Sequence, residues 1–225
     1  MKSVARWVAP LAAVIFAFTA SRARDSRASV SVAVTFDGLV LASHAVVIAT
    51  PVEEHAQMED GKIFTYTRLH VDNAVAGDAA TGSDVYVRAF GGVVDHVGMV
   101  SEGEPTFTVG TQQLLFLRHG ASFAYNVTAN AQGQFTVVAD AGNAGTGARS
   151  TSFDGASTRF RRSRALGMVL QPKNAVEAVD KAGASTSQSV RVVASPALAA
   201  DVLEARAATD VVRDVAAAFK RLHAR

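Results

Sequence analysis

The side chains that could carry chemistry in this chain are few and spread out. Six histidines fall at His44, His55, His70, His96, His119 and His223, and no two share a metal-ligand spacing such as His-Glu-x-x-His. Asp95 and His96 are adjacent in a stretch bounded by glycines, and a carboxylate beside an imidazole can orient it as a base. That pair supports a hydrolase reading, with Asp95, His96 or His70 working in a cleft closed by the Gly91-Gly92 bend. Neighbours on a strand point to opposite faces, however, and a hydrogen-bonded surface histidine is the commoner use of such residues. His70 and Asp72 lie two apart and can pair on one face. Glu53, Glu54, Glu59 and Asp60 could draw a cation, but they read better as the solubilising end of a hairpin. There is no Gly-x-Ser-x-Gly, no glycine-lysine phosphate loop and no paired-glycine dinucleotide fingerprint. Nothing in the residues calls for a cofactor or a metal.

A second constellation is a surface rather than a catalytic set. Tyr66, Arg68 and His70 recur with period two, and Tyr86 and Arg88 do the same some twenty residues on. Lys62 to Val75 is rich in β-branched and aromatic residues, which predicts a strand. Ile63, Thr65, Thr67, Leu69, Val71 and Val75 then share one face, and Phe64, Tyr66, Arg68, His70 and Asp72 the other. Asp84 to Phe90 alternates in the same way, with Val85, Val87 and Ala89 opposed to Tyr86, Arg88 and Phe90. Gly77 to Gly82 is a turn between the two. A hairpin that keeps parity sets Tyr66, Arg68 and His70 beside Tyr86 and Arg88. Aromatic and cationic groups concentrated on one solvated face are the composition of a binding surface. If a C-terminal helix covers that face instead, Tyr66 and Tyr86 are core.

The elements that must position these residues are strands. His44 to Thr50 is a short β-branched run ended by Pro51, and Val93 to Val100 is a short ribbon around Gly98. Gln113 to Arg118 is the most apolar run and the expected central strand. Phe123, Tyr125 and Val127 alternate after Gly120, and Phe135 to Val138 follows Gly133. Several short strands with glycine turns and no helix pattern between them predict a mainly β domain over residues 44–140, a small antiparallel OB-like barrel. Gly91-Gly92, at the end of one strand, calls for φ > 0 or a sharp bend.

This order resembles a family. It runs through a Val-rich first strand, an Ile-x-Thr-x-Thr second strand, a Val-x-Val third strand, a Gly-Gly bend and Gly110-Thr-Gln-Gln-Leu-Leu-Phe-Leu117. It is similar to an uncharacterised module of secreted bacterial proteins and, more distantly, to the netrin-like OB barrel of tissue inhibitors of metalloproteinases. The resemblance implies the barrel and admits a protease-inhibitor reading. The animal inhibitors reach the protease metal with an amino-terminal cysteine, and this chain has none, so that mechanism does not transfer.

The flanks read as export and tail. Lys2 and Arg6 precede a short apolar core ending near Ala20, the pattern of a secretory signal peptide over residues 1–23. Cleavage is expected after Ala23, with Ala28 and Ala20 as second choices. The apolar run is shorter than the roughly 20 residues of a membrane span. The chain is therefore placed in the periplasm or outside the cell, with a membrane contact only through an uncleaved signal segment. The 22 Lys+Arg against 20 Asp+Glu become 19 against 20 once Lys2, Arg6 and Arg22 are removed. A net of −1 gives no global attraction to nucleic acid or anionic lipid. Without cysteine there are no disulfides and no thiolate metal site, so the core alone must hold the domain.

Residues 24–43 form an approach segment in which Thr35 can cap a turn bearing Phe36, Leu39 and Val40. Residues 141–170 are glycine-rich, then arginine-rich at Arg159, Arg161, Arg162 and Arg164, and are expected to form a flexible linker. Residues 171–225 are a helical tail. Helices are expected over 172–182, from Pro196 to Arg206 with Ser195 as cap, and from Asp210 to Leu222 with Thr209 as cap. The Val211, Val215, Phe219 and Leu222 stripe fits packing on the chain's own barrel. The function expected is that of an exported, non-enzymatic interaction module, binding an unknown protein or envelope component through Tyr66, Arg68, His70, Tyr86 and Arg88.

Overall fold

The structure is a computed structural model that describes residues 30–120, 123–139, 158–163, 168–170, 196–204 and 206–224. The signal segment expected over residues 1–23, the glycine-rich stretch 140–157 and the helix expected over 172–182 lie outside the described residues.

A barrel forms because two long strands can each pair on both sides. Strand β1 (Val30–Val32) and helix α1 (Phe36–Leu41) lead in. Then come β2 (Ala45–Glu59), β3 (Lys62–Gly77) and β4 (Asp84–Phe90), followed by the β5 (Gly92–Val94) and β6 (Val97–Met99) hairpin. Strands β7 (Gln113–His119), β8 (Tyr125–Val127), β9 (Gln134–Ala139) and β10 (Thr158–Arg162) complete the main sheet. Strand β11 (Met168–Leu170) runs parallel to β1, and helices α2 (Ala199–Leu203) and α3 (Ala208–His223) follow. The seven-stranded sheet runs β10-β9-β7-β2-β3-β4-β8, and β8 also pairs with β7. That last pairing closes β7-β2-β3-β4-β8 into a ring. The fold is mainly β, an OB-like barrel followed by C-terminal helices. The strand pairings of the seven-stranded sheet are antiparallel except for one parallel register pair between β4 and β8, Val87 with Tyr125.

The alternation along β2 and β7 feeds two cores at once. Ala45, Val47, Ala49, Leu115 and Leu117 point into the barrel with Leu69, Val71, Val87 and Val127. Val46, Ile48, Leu114 and Phe116 point outward, where Leu39 and Val40 of α1, Leu203 of α2 and Val211 and Val215 of α3 cover them. Two-sided burial is why Leu114-Leu-Phe-Leu117 is continuously apolar. The α3 stripe packs on its own barrel, as its spacing predicts.

Several boundaries differ from the expectation. Pro51 does not end β2, which continues to Glu59 against β3. Pairing of β2 with β7 stops at Ala49, so the missing proline N–H leaves no ladder bond unmade. The Pro51 carbonyl accepts instead from Gly110 N–H at 2.8 Å. Residues 158–162, expected as linker, form β10 on β9, with Phe160 2 % exposed in the outer core. Helix α2 begins at Ala199 rather than Pro196. The chain before it is held extended by Phe36 N–H to Ala197 O at 2.9 Å and Ala199 N–H to Val34 O at 3.0 Å. Helix α3 begins at Ala208, two residues before the expected start. Thr35 does cap α1, accepting from Gly38 N–H at 3.2 Å. A Cβ at position 38 would crowd that same hydroxyl.

Candidate functional site

The site is built on the outer side of β3 and β4, the side the helices leave open. Register pairs Tyr66 with Arg88, Arg68 with Tyr86, His70 with Asp84 and Phe64 with Phe90. The hairpin therefore keeps parity and brings together all five residues expected at the binding face. The turn that permits this includes Gly77 at φ 95°, where an added side chain would strike the His44 carbonyl. At the other end Gly91 and Gly92 have φ 105° and 133°. This turns the β5–β6 hairpin under the extended β2–β3 arm, where Thr65 Oγ1 donates to Gly91 O at 2.8 Å.

Most polar groups on the face are already engaged. Arg68 spans Glu53 at 3.1 Å and Asp84 at 2.7 Å, and Asp84 also takes His70 Nδ1 at 2.9 Å. The His70 contact first, and Arg68 second, hold the Asp84 carboxyl below its ordinary range. Glu59 accepts from Tyr66 OH at 2.7 Å, from Gln57 at 2.7 Å and from Arg88 at 2.6 Å, which together hold its carboxyl down at about 2. Burial opposes the charge on Arg88, and Glu59 more than offsets it, so the guanidinium's proton affinity ends up raised. Arg88 also lies 3.4 Å above the Phe64 ring. Glu53 and Glu59 thus anchor the arginines, which the reading of the acids as a hairpin end did not foresee.

What the face leaves free is aromatic. Tyr86 is 41 % exposed. Phe123, at 77 % exposed, stacks on Tyr66 at 5.8 Å and meets Tyr86 edge-on at 5.6 Å. It lies just before β8 and not in the strand. The alternation of Phe123, Tyr125 and Val127 predicts it inside the strand, which begins only at Tyr125. Tyr66 and Tyr86 are not under α3, whose Val211 and Val215 belong to the opposite, helix-covered side.

The other expected pairs are placed differently. Asp95 and His96 form the tip of the β5–β6 hairpin, Asp95 at φ 53°, and both are exposed. His70 and Asp72 do not pair. Between Ile48 and Ala49 the β2–β3 register skips Asp72, a bulge that re-aims the carboxylate. Asp72 accepts from Thr50 at 2.6 Å and Gln112 at 2.9 Å instead.

A cluster that sequence spacing did not reveal sits at one end of the barrel. Asp78 takes His119 Nε2 at 2.7 Å and Tyr125 OH at 2.9 Å, and the His119 ring lies 4.6 Å from His44. Burial first, and the Asp78 bond second, push the Tyr125 phenol up to about 12. These residues come from the position just before β2, the turn after β3 and the facing ends of β7 and β8, so only closure of the barrel unites them.

Among the described residues no group of three or more histidine and carboxylate side chains is placed to hold a metal ion, and no helix is long and apolar enough to cross a membrane. Comparison with models of known families gave no match, and no curated protein or solved structure matched the chain significantly.

Proposed function

We propose that this chain is an exported, non-enzymatic binding module of netrin-like OB character, and that it docks a protein of the cell envelope on the β3–β4 face. The observation that carries the reading is Phe123, a large aromatic left out of both cores and held against Tyr66 and Tyr86. Rigid aromatic clusters inside a ring of polar groups are where protein–protein binding energy concentrates. Glu53, Arg68, Asp84 and His70 supply such a rim. Because they are paired with one another, they fix orientation and exclude water more than they supply free charge. Arg88, bound to Glu59 and packed on Phe64, is a positioning residue for the face.

The test is capture from an envelope extract by the folded protein, comparing wild type with a Tyr86→Ala/Phe123→Ala double variant. The variant should unfold at nearly the wild-type midpoint and lose the captured protein. Full capture by the folded double variant refutes the docking face. Removing Arg88 would be a poorer test, since it also breaks the Glu59 pair and uncovers Phe64. A hydrolase centred on Asp95 and His96 and a cysteine-free protease inhibitor have no specific observation in their favour.

A further inference from the structure

The barrel ring has one weak seam, and a cleft fills it. Strands β4 and β8 share only the Val87–Tyr125 pair; beyond it they diverge. A cleft of about 160 Å³ lies in the gap, between Arg88 and Phe90 of β4, Asn126 and Val127 of β8, and Arg118 of β7. By liquid volume that is room for about five waters. Arg118 and Asn126 are direct cross-strand neighbours, so their side chains stand together at one lip of the seam.

The lining combines hydrogen-bond donors with aromatic rings. Arg118 is exposed, and no carboxylate lies within ion-pair distance of it among the described residues. The Asn126 carboxamide is likewise without a hydrogen-bond partner there, and the Arg88 Nε is shut off from solvent with no acceptor. The rings of Phe64 and Phe90, 5.4 Å apart and edge-to-face, also line the cleft, and the Arg88 guanidinium lies over the Phe64 ring at 3.4 Å. The single acid in the cleft, Glu104, is turned to local use. One of its oxygens accepts from Phe90 N–H at 3.3 Å and the other lies 3.5 Å from the Asn130 amide nitrogen.

The charge balance selects the ligand. Arg88 is neutralised by Glu59 from outside the cleft, which leaves one free guanidinium facing one engaged carboxylate. A singly charged anion can take the planar fork of Arg118 and the Asn126 amide. A phosphate dianion would meet repulsion from Glu104 that the second arginine, already paired, does not offset. We propose that this cleft binds a small carboxylate whose apolar or aromatic body lies against Phe64 and Phe90. The cleft shares Arg88 with the docking face but not Tyr66, Tyr86 or Phe123, and it does not rest on that reading.

Titration of the full chain with benzoate, followed through backbone amide resonances, tests the proposal. Saturable shifts are expected at Arg118, Asn126 and Asn130. Affinity should fall roughly tenfold or more, about 1.4 kcal/mol, in Arg118→Gln and when benzamide replaces benzoate. Arg118 is exposed and without a protein partner, so its replacement leaves folding intact; Asn126→Ala provides a second variant with the same expected direction. The Tyr86→Ala/Phe123→Ala protein should bind benzoate as wild type does, so failure of the docking face and failure of the cleft are told apart. Equal affinity in Arg118→Gln, shifts centred elsewhere, no saturation, or tighter binding of inorganic phosphate than of benzoate would overturn the assignment.

Discussion

Strands β2 and β7 and strands β3 and β4 are built on the same two-residue alternation, and they differ in what covers their outer side. Outward positions of the first pair are Val46, Ile48, Leu114 and Phe116, sealed by α1, α2 and α3. Outward positions of the second pair are Phe64, Tyr66, Arg68, His70, Tyr86, Arg88 and Phe90, joined by Phe123 and left to solvent or half-covered. The inward positions of both pairs are alike, small or branched and buried. The contrast teaches that inward residues report the barrel, whereas outward residues report what covers it, and on the β3–β4 side that cover is the partner proposed above. On the β2–β7 side it is the chain's own tail. On the other side the aromatic content is higher and is laced with ion pairs, the composition expected of the proposed docking surface.

The largest effects should come from the sealed side. Phe116→Ala should cost about 3–5 kcal/mol, and Leu117→Ala, inside the barrel, roughly 2–5 kcal/mol, read as shifts in denaturant midpoint at constant slope. If either leaves the midpoint unchanged, the two-core account of β7 fails. An intermediate effect is expected from acid. Glu59 sits at about 2 in the fold against an ordinary 4.5, so its ionised form stabilises the native state in full above pH 4.5. That contribution is lost as pH falls from there through about 2. Stability measured across this range should decline less steeply in Glu59→Gln than in wild type; parallel curves would mean that the Tyr66–Glu59–Arg88 contact does not persist in solution. At the alkaline end, Tyr125 at about 12 against 10.0 favours the neutral phenol in the fold. Its contribution should be full below pH 10, fade as pH rises through 12, and be missing from Tyr125→Phe. The smallest structural effect belongs to the open side. Phe123→Ala should move the midpoint by less than about 1 kcal/mol, since an exposed aromatic loses only its ring contacts. A loss comparable to that of Phe116→Ala would show Phe123 to be core and would erase the contrast.

Legibility from sequence followed the same division. Strand order, the β3–β4 parity and the self-packing of α3 were legible because period two and period 3.6 are carried by the residues themselves. The end of β2 was not, because Pro51 is compatible with a strand once β7 stops pairing at Ala49, and that stop is a tertiary fact. The His70–Asp72 pair failed for a related reason: a bulge breaks the two-residue period at Asp72, and no residue type announces it. The arginines of β10 read as linker since Phe160 alone marks the buried side. For the site, the five expected face residues were legible from alternation. Glu53 and Glu59, which anchor the arginines, come across the β2–β3 hairpin, whose length past Pro51 was not legible, and Phe123 comes from just before β8, which the folded ring brings near.

The account rests on the β3–β4 side being a docking face, and a photoreactive aromatic amino acid placed at position 123 tests it directly. On irradiation of the folded protein in envelope extract, a discrete adduct with one partner protein is predicted at position 123. The same group at Arg213, on the outer surface of α3, should give none. Absence of any adduct at position 123, or the same adducts from both positions, would contradict the docking face.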